Sequence, residues 1–214
     1  MQVVRTSQFI LKAMLGCAVA CAFPASVRAQ QCGGWLDGAG APGVMGTVTV
    51  SVTWDPDGAG SATPLVVMGG TFQVAGDVLA SNLVAYDPVS SRWRSLGGGV
   101  AGGDVRALCV APDGALIVGG RFTSAGGTSA ARLARWDGTS WSSIGNSVSG
   151  SIETVIALPN GDLVVGGSFL NFGGQNFGGI ARWNGSQWLS FGTGLNTAGT
   201  LSAMTLTSQG DLII

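Results

Sequence analysis

From Thr47 onward the chain alternates between short apolar runs and turn-forming dipeptides. Residues 105–111 are rich in β-formers and end at Pro112-Asp113-Gly114, and residues 152–158 end at Pro159-Asn160-Gly161. Asp-Gly or Asn-Gly between two apolar runs marks a hairpin, because the turn needs φ > 0. The next run closes on a glycine doublet, Gly119-Gly120 or Gly166-Gly167. A glycine-rich loop is expected after it, at Ala125-Gly126-Gly127 and Phe172-Gly173-Gly174. A third run ends at Asp137-Gly138 or Asn184-Gly185, again a hairpin signal, and a fourth carries a tryptophan. Apolar residues are consecutive in Leu108-Cys109-Val110 and Leu163-Val164-Val165. That suits strands covered on both faces. Helical periodicity is missing beyond the first thirty residues.

The pattern repeats. Glycine doublets begin at Gly69, Gly119 and Gly166, 50 and 47 residues apart. The last aromatic of each unit is Trp93, Trp141 or Trp188, with steps of 48 and 47. Two independent markers share one period. Four short antiparallel strands in a unit of this length make one propeller blade. The expected fold is all-β: a β-propeller of four-stranded antiparallel blades, three full and a partial fourth, in an incomplete ring. The blades are expected at 47–100, 104–149, 151–195 and, in part, 201–214. Residues 30–46 precede them. There, Trp35-Leu36-Asp37-Gly38 resembles an outer strand that would complete a last blade in ring closure. The chain stops where the next doublet is due, so a truncated product of a larger propeller is expected.

The order Gly69-Gly70, Tyr86-Asp87-Pro88, Trp93 resembles the kelch repeat. Ala134-Arg135-Trp136-Asp137 and Ala181-Arg182-Trp183-Asn184 are similar to bacterial glycine-rich propeller repeats and to the propeller of fungal cortical polarity markers. They depart from kelch in placing Trp where Tyr is usual. The resemblance spans roughly residues 47–214 and implies a propeller. Such folds carry many unrelated functions.

The first thirty residues read as an address. Arg5 and Lys12 precede an uncharged apolar run of 11 residues, 13–23, then Pro24, with Val27 and Ala29 at −3 and −1 of a cleavage point. This is a signal peptide over 1–29. The run would span about 16 Å as a helix, half of what a membrane anchor needs. A lipoprotein reading is also open, since Ala18-Val19-Ala20 precedes Cys21. Secreted, periplasmic or cell-surface location follows. Cys17 and Cys21 leave with the signal, and an oxidising compartment permits a bridge between Cys32 and Cys109. Cys109 also reads as a small core residue. No later apolar run is long enough for a membrane span.

Composition narrows the function. The chain has 37 Gly in 214 residues, 10% charged residues and no His. Without His there is no Ser-His-Asp triad and no imidazole metal ligand. After cleavage seven cations face eleven acids, a formal charge of −4 with no Lys. No nucleic-acid partner is expected.

Each candidate site has a bland alternative. Asp55-Pro56-Asp57-Gly58-Ala59-Gly60 resembles the front of a calcium loop, but Ala59 and Val66 stand where further ligands belong. The doublets suggest a phosphate loop, but neither Lys nor helix follows; close backbone approach or a bulge is the other reading. Arg135 and Arg182 would line a channel, or make between-blade hydrogen bonds or stack on Trp. The tryptophans would be sugar platforms or blade cores. Asn184-Gly185-Ser186 fits a glycosylation sequon. Asp113, Asp137 and Asp162 read as turn residues, and Glu153 as the start of a strand. A copper-radical oxidase would need His and Tyr ligands, and Tyr86 is the single Tyr.

No catalytic, cofactor or metal residue is assigned and no cofactor is expected. The expectation is a non-enzymatic secreted module that binds a protein or glycan and self-associates through open blade edges. The alternative is a fragment of a propeller enzyme, glycan-active or an oxidase, with its catalytic residues in missing blades.

Overall fold

The computed structural model describes residues 43–58, 60–145, 149–169, 171–172, 175–191, 200–207 and 210–214. They belong to one unit, Gly40–Ile214, and a second unit, Met1–Ala39, lies outside them. The expected signal peptide, the segment around Trp35, and Cys17, Cys21 and Cys32 also lie outside the described residues.

All regular elements among the described residues are strands. Blade 1 comprises β1 (Val44–Trp54), β2 (Leu65–Ala75), β3 (Val78–Leu79), β4 (Leu83–Asp87) and β5 (Arg92–Ser95). Its order is β1-β2-β4-β5, with β3 pairing on β2. A short strand β6 (Val100–Ala101) leads to blade 2. Blade 2 comprises β7 (Val105–Val110), β8 (Leu116–Gly120), β11 (Leu133–Trp136) and β12 (Trp141–Ser143), paired in that order. Between β8 and β11, β9 (Ser124–Ala125) and β10 (Thr128–Ser129) form a small sheet with β6. Blade 3 runs β13 (Ile152–Ala157), β14 (Leu163–Gly167), β17 (Ile180–Trp183), β18 (Trp188–Ser190), with β15 (Asn171–Phe172) and β16 (Gln175–Asn176) as its small hairpin. β19 (Thr205–Leu206) and β20 (Leu212–Ile213) pair as the first hairpin of a fourth unit. Three four-stranded antiparallel blades and a partial fourth stand in an open ring.

Three details differ from the sequence reading. The loop expected at Ala125-Gly126-Gly127 is the hairpin β9–β10, with Gly126 and Gly127 at φ +55 and +79. The loop expected at Phe172 holds the hairpin β15–β16, and Gly173 and Gly174 lie outside the described residues. Strand β1 begins at Val44, three residues before the Thr47 expected. A register shift between Met45 and Gly46 breaks the alternation there, while Val44 still pairs with Ala75.

The blades pack face to face, with β7 flanked by β1 and β13. One core, including Val67, Leu83, Val105, Leu116 and Trp136, fills the boundary of blades 1 and 2. A second, including Ile117, Leu133, Ile152, Val165 and Ala181, fills that of blades 2 and 3. Blade 2 thus gives apolar side chains to both neighbours, which is why its strands read as continuous apolar runs. No helix among the described residues is long and apolar enough to cross a membrane.

Candidate functional site

The glycine doublets set the blade spacing. A Cβ on Gly69 would run into Val105; one on Gly119 would lie 2.7 Å from Cγ2 of Ile152, and one on Gly166 2.5 Å from Cδ2 of Leu201. Val105, Ile152 and Leu201 hold one place in successive repeats. The first glycine of each doublet is therefore the seat of the next blade's first strand. The second faces its own first strand: a Cβ on Gly70, Gly120 or Gly167 would strike the carbonyl of Thr47, Asp104 or Ser151. Each lies beside the register shift in that strand. Protein fills the space a phosphate would need, so the doublets serve close approach and bulges.

Beyond each doublet the chain runs one residue to a phenylalanine. Phe72, Phe122 and Phe169 are buried at 3%, 0% and 1% exposure. Neighbouring side chains in extended backbone point to opposite faces, so Thr71, Arg121 and Ser168 turn outward and are exposed. Asn82 braces this end of blade 1. Its Oδ1 accepts from the Phe72 amide at 3.0 Å, and its Nδ2 donates to the carbonyls of Val100 (3.1 Å) and Gly103 (3.0 Å). It sits at φ +67, a conformation Asn tolerates better than most residues. The brace holds the end of β2 against the segment that leads to β7.

A recess of about 520 Å³ opens there, lined by Thr71, Gln73, Ser81, Gly102, Asp104 and Arg121, among others. Arg121 grips Asp104 with both arms, Nε to Oδ1 and Nη2 to Oδ2, each 2.8 Å. Arg106 reaches the same carboxylate from Nε at 3.1 Å and donates from Nη1 to Glu153 of blade 3 at 2.7 Å. Ser151 donates to the other oxygen of Glu153 at 2.6 Å and shares a 2.7 Å hydrogen bond with Ser168. The network crosses from blade 2 to blade 3 along the starts of β7 and β13. Arg121 holds the Asp104 carboxyl below the usual carboxylate range, against the opposing effect of burial. Asp104 is thus ionised at neutral pH and serves as an acceptor. The sequence reading names Glu153 only as a strand start and does not single out Asp104, Arg106 or Arg121.

A second recess, about 420 Å³, opens at the opposite strand ends and is lined by Asp55, Asp57, Asp113, Arg135 and Asp137, among others. The calcium-like segment closes on itself there. Asp57 Oδ2 accepts from the Ala62 amide at 2.9 Å, and Asp55 Oδ1 from the Asp57 amide at 3.3 Å. The Ala62 amide above all holds the Asp57 carboxyl below its usual range. Ala59 lies outside the described residues.

Arg135 and Arg182 form ion pairs within their own blades. Each pairs with an acid near the first hairpin turn of its own blade. Arg135 reaches Asp113 at 3.1 Å, and Arg182 donates from Nε to Asp162 at 2.6 Å. The hairpin signals at Asp137 and Asn184 are Asx turns. Asp137 Oδ1 accepts from the Thr139 and Ser140 amides, and Asn184 Oδ1 from those of Ser186 and Gln187. The Asn184 sequon is exposed on such a turn.

The tryptophans among the described residues are packing residues. Tyr86–Trp93, Trp136–Trp141 and Trp183–Trp188 are tilted pairs with centroids 4.9, 5.1 and 5.2 Å apart, each linking strands three and four of its blade. Trp54 is 3% exposed and donates to the Gly114 carbonyl of blade 2 at 2.8 Å. Cys109 is a free thiol packed on the boundary of blades 2 and 3, and burial pushes it up to about 12.

Residues 111–136 and 158–185 match the family described as a domain of unknown function (DUF5122) beta-propeller. Each stretch runs from the first hairpin turn to the third-strand region of a blade. No curated protein matches the chain. The matched stretches fall at the same place in blades 2 and 3, so the chain is a β-propeller repeat protein.

Proposed function

We propose that the chain is a secreted, non-catalytic binding module whose recess between blades 1 and 2 takes a neutral, hydroxyl-rich ligand such as a glycan. The observation that carries this is the recess lining. Hydroxyls of Thr71 and Ser81, the amide of Gln73 and the Asp104–Arg121 pair surround about 520 Å³ with no net charge. Such groups exchange donor and acceptor roles with hydroxyls. Few polar groups at fixed places in a concave site set ligand orientation. The leader-like residues 1–29 support secretion, and the order Gly69-Gly70, Tyr86, Trp93 supports a kelch-type blade.

One observation favours a second reading, a propeller enzyme acting on glycans: Asp104 and Glu153 converge on Arg106. Glycoside hydrolysis needs a carboxylic acid that donates a proton. Arg121 keeps Asp104 ionised, so binding remains the first reading.

The test is binding of the purified chain to an immobilised glycan panel, repeated with Arg121→Ala and Gln73→Ala. The expected result is a glycan whose affinity falls about tenfold in both variants. Loss of no binding in either variant, or no binding to any glycan, would overturn the reading.

A further inference from the structure

Blade 3 carries asparagine at two hairpin turns where blade 2 carries aspartate. Asn160-Gly161 stands in the place of Asp113-Gly114, and Asn184-Gly185 in that of Asp137-Gly138. An asparagine followed by glycine holds a reactive pair of its own. The glycine amide nitrogen, once it gives up its proton, attacks Cγ of the asparagine, because no Cβ crowds the approach. The new N–Cγ bond closes a cyclic imide, and the Cγ–Nδ2 bond breaks to release ammonia. Water then adds at one or other imide carbonyl and opens the ring to aspartate or isoaspartate. The balance consumes water, releases ammonia and needs nothing else.

The two turns hold these atoms differently. Gly161 donates its amide to the Leu158 carbonyl at 2.9 Å, and Asn160 donates from Nδ2 to Asp162 at 2.9 Å. Attack there has to break both bonds. The amide of Gly185 makes no hydrogen bond among the described residues, and nothing lies within 4 Å of where a Cβ would stand on it. Asn184 Oδ1 accepts from the Ser186 amide at 3.1 Å, the Gln187 amide at 2.9 Å and the Ser186 hydroxyl at 3.0 Å. That oxygen takes the negative charge when nitrogen adds to Cγ, and donors already aimed at it lower the barrier. Asn184, Gly185, Ser186 and Gln187 are all exposed, so base and water reach them. The exposure belongs to the turn itself. In blade 2, with a blade on either side, Asp137, Thr139 and Ser140 are exposed at the same place.

Blade 2 already contains the product. Asp137 Oδ1 accepts from the Thr139 and Ser140 amides at 2.8 and 2.7 Å, and such bonds, the Ser140 amide first, hold its carboxyl well below the usual range. An aspartate at position 184 meets the corresponding amides of Ser186 and Gln187 and is favoured there as an anion. At position 160 an aspartate would instead face the Asp162 carboxylate to which Asn160 donates. We propose that Asn184 is a modification site of the folded chain, converted by the Gly185 amide to aspartate and isoaspartate, while Asn160 is held intact. The turn between β17 and β18 thereby gains a negative charge without a second protein.

The experiment is incubation of the purified chain in mildly alkaline buffer, folded and in urea, with conversion at each asparagine read by peptide mapping and mass spectrometry. Enzymatic methylation of isoaspartate counts that product independently. In the folded chain Asn160 should convert at least about fivefold more slowly than Asn184, the worth of one turn hydrogen bond. In urea the two should draw level, since the turn bonds are gone. Ser186→Ala removes one of the three donors and should slow Asn184 about twofold or more. Asn184→Asp makes one product directly and should keep the urea midpoint of the parent chain, whereas Asn160→Asp should lower it. No conversion at Asn184 in the folded chain, conversion at Asn160 that matches or leads it, or a preference unchanged in urea overturns the proposal.

Discussion

The indole nitrogen of Trp141 donates a 3.0 Å hydrogen bond to the carbonyl of Leu96, across the boundary between blades 1 and 2. The next residue, Gly97, sits at φ +55 under the same rings. A Cβ there would lie 2.5 Å from Cζ3 of Trp136 and 2.7 Å from Nε1 of Trp141. At the other strand ends Trp54 bonds to Gly114, so the boundary is latched at both ends. Trp141→Phe keeps a ring and loses the bond, and should cost about 1 kcal/mol. Gly97→Ala adds a clash and backbone strain, and should cost about 1–3 kcal/mol. Urea unfolding followed by tryptophan fluorescence measures both. Equal effects from the two changes would show that the space under the rings is looser than the geometry says.

The doublet glycines make a coupled prediction. Gly119→Ala drives a methyl onto Ile152 and should cost about 1–3 kcal/mol. Ile152→Ala empties that space and should cost about 2–5 kcal/mol. The two together should be milder than their sum by about 0.5–3 kcal/mol, since the smaller residue makes room for the methyl. A double-mutant cycle in urea checks this, and additive costs would separate the doublet from blade seating.

Arg106 ties Asp104 of blade 2 to Glu153 of blade 3, and its side chain is 28% exposed. Glu153→Gln keeps the shape and removes the charge. It should lower stability by about 1 kcal/mol in dilute buffer. The difference should shrink in about 1 M salt, where the screening length is near 3 Å. Paired denaturation curves at the two ionic strengths decide it, and a salt-independent difference would assign the loss to hydrogen bonding with Ser151.

The blades were legible in the sequence and the polar network was not, for one physical reason. Residues that set blade packing recur at every repeat, so Gly69, Gly119 and Gly166 announce themselves by spacing. Phe72, Phe122 and Phe169 recur as well, and the pattern Gly-Gly-x-Phe was there to be read. The recess and its network depend on residues that do not recur. Asp104, Arg106 and Arg121 occupy the places that Ser151, Glu153 and Ser168 hold in the next repeat. Pairing between such residues is fixed by the approach of two blades, which one-dimensional spacing does not encode. Arg135 and Arg182 show the same limit. Their positions are equivalent, yet one takes Asp113 and the other Asp162, two residues apart in the repeat.

Acid and alkali should act on different residues. Hydrogen bonds from Ser90, then the Val89 amide and Arg94, bring the Asp87 carboxyl down from 3.8 to about 2. Arg121 and Arg182 likewise lower Asp104 and Asp162. A carboxylate depressed by folding stabilises above its unfolded value, and that contribution is lost as pH falls through the folded one. Stability should therefore drop from about pH 4 toward pH 2, and Asp87→Asn should flatten part of the drop. Cys109 works at the other end, because burial raises its thiol from 9.0 to about 12. Its neutral form is favoured by folding, so that contribution is complete below about 9 and is lost as pH rises toward 12. Cys109→Ala should flatten the alkaline limb. With no His in the sequence, little titrates between these limits, and urea midpoints should be level from about pH 5 to 8. A slope inside that range would point to a titrating group outside the pairs described above.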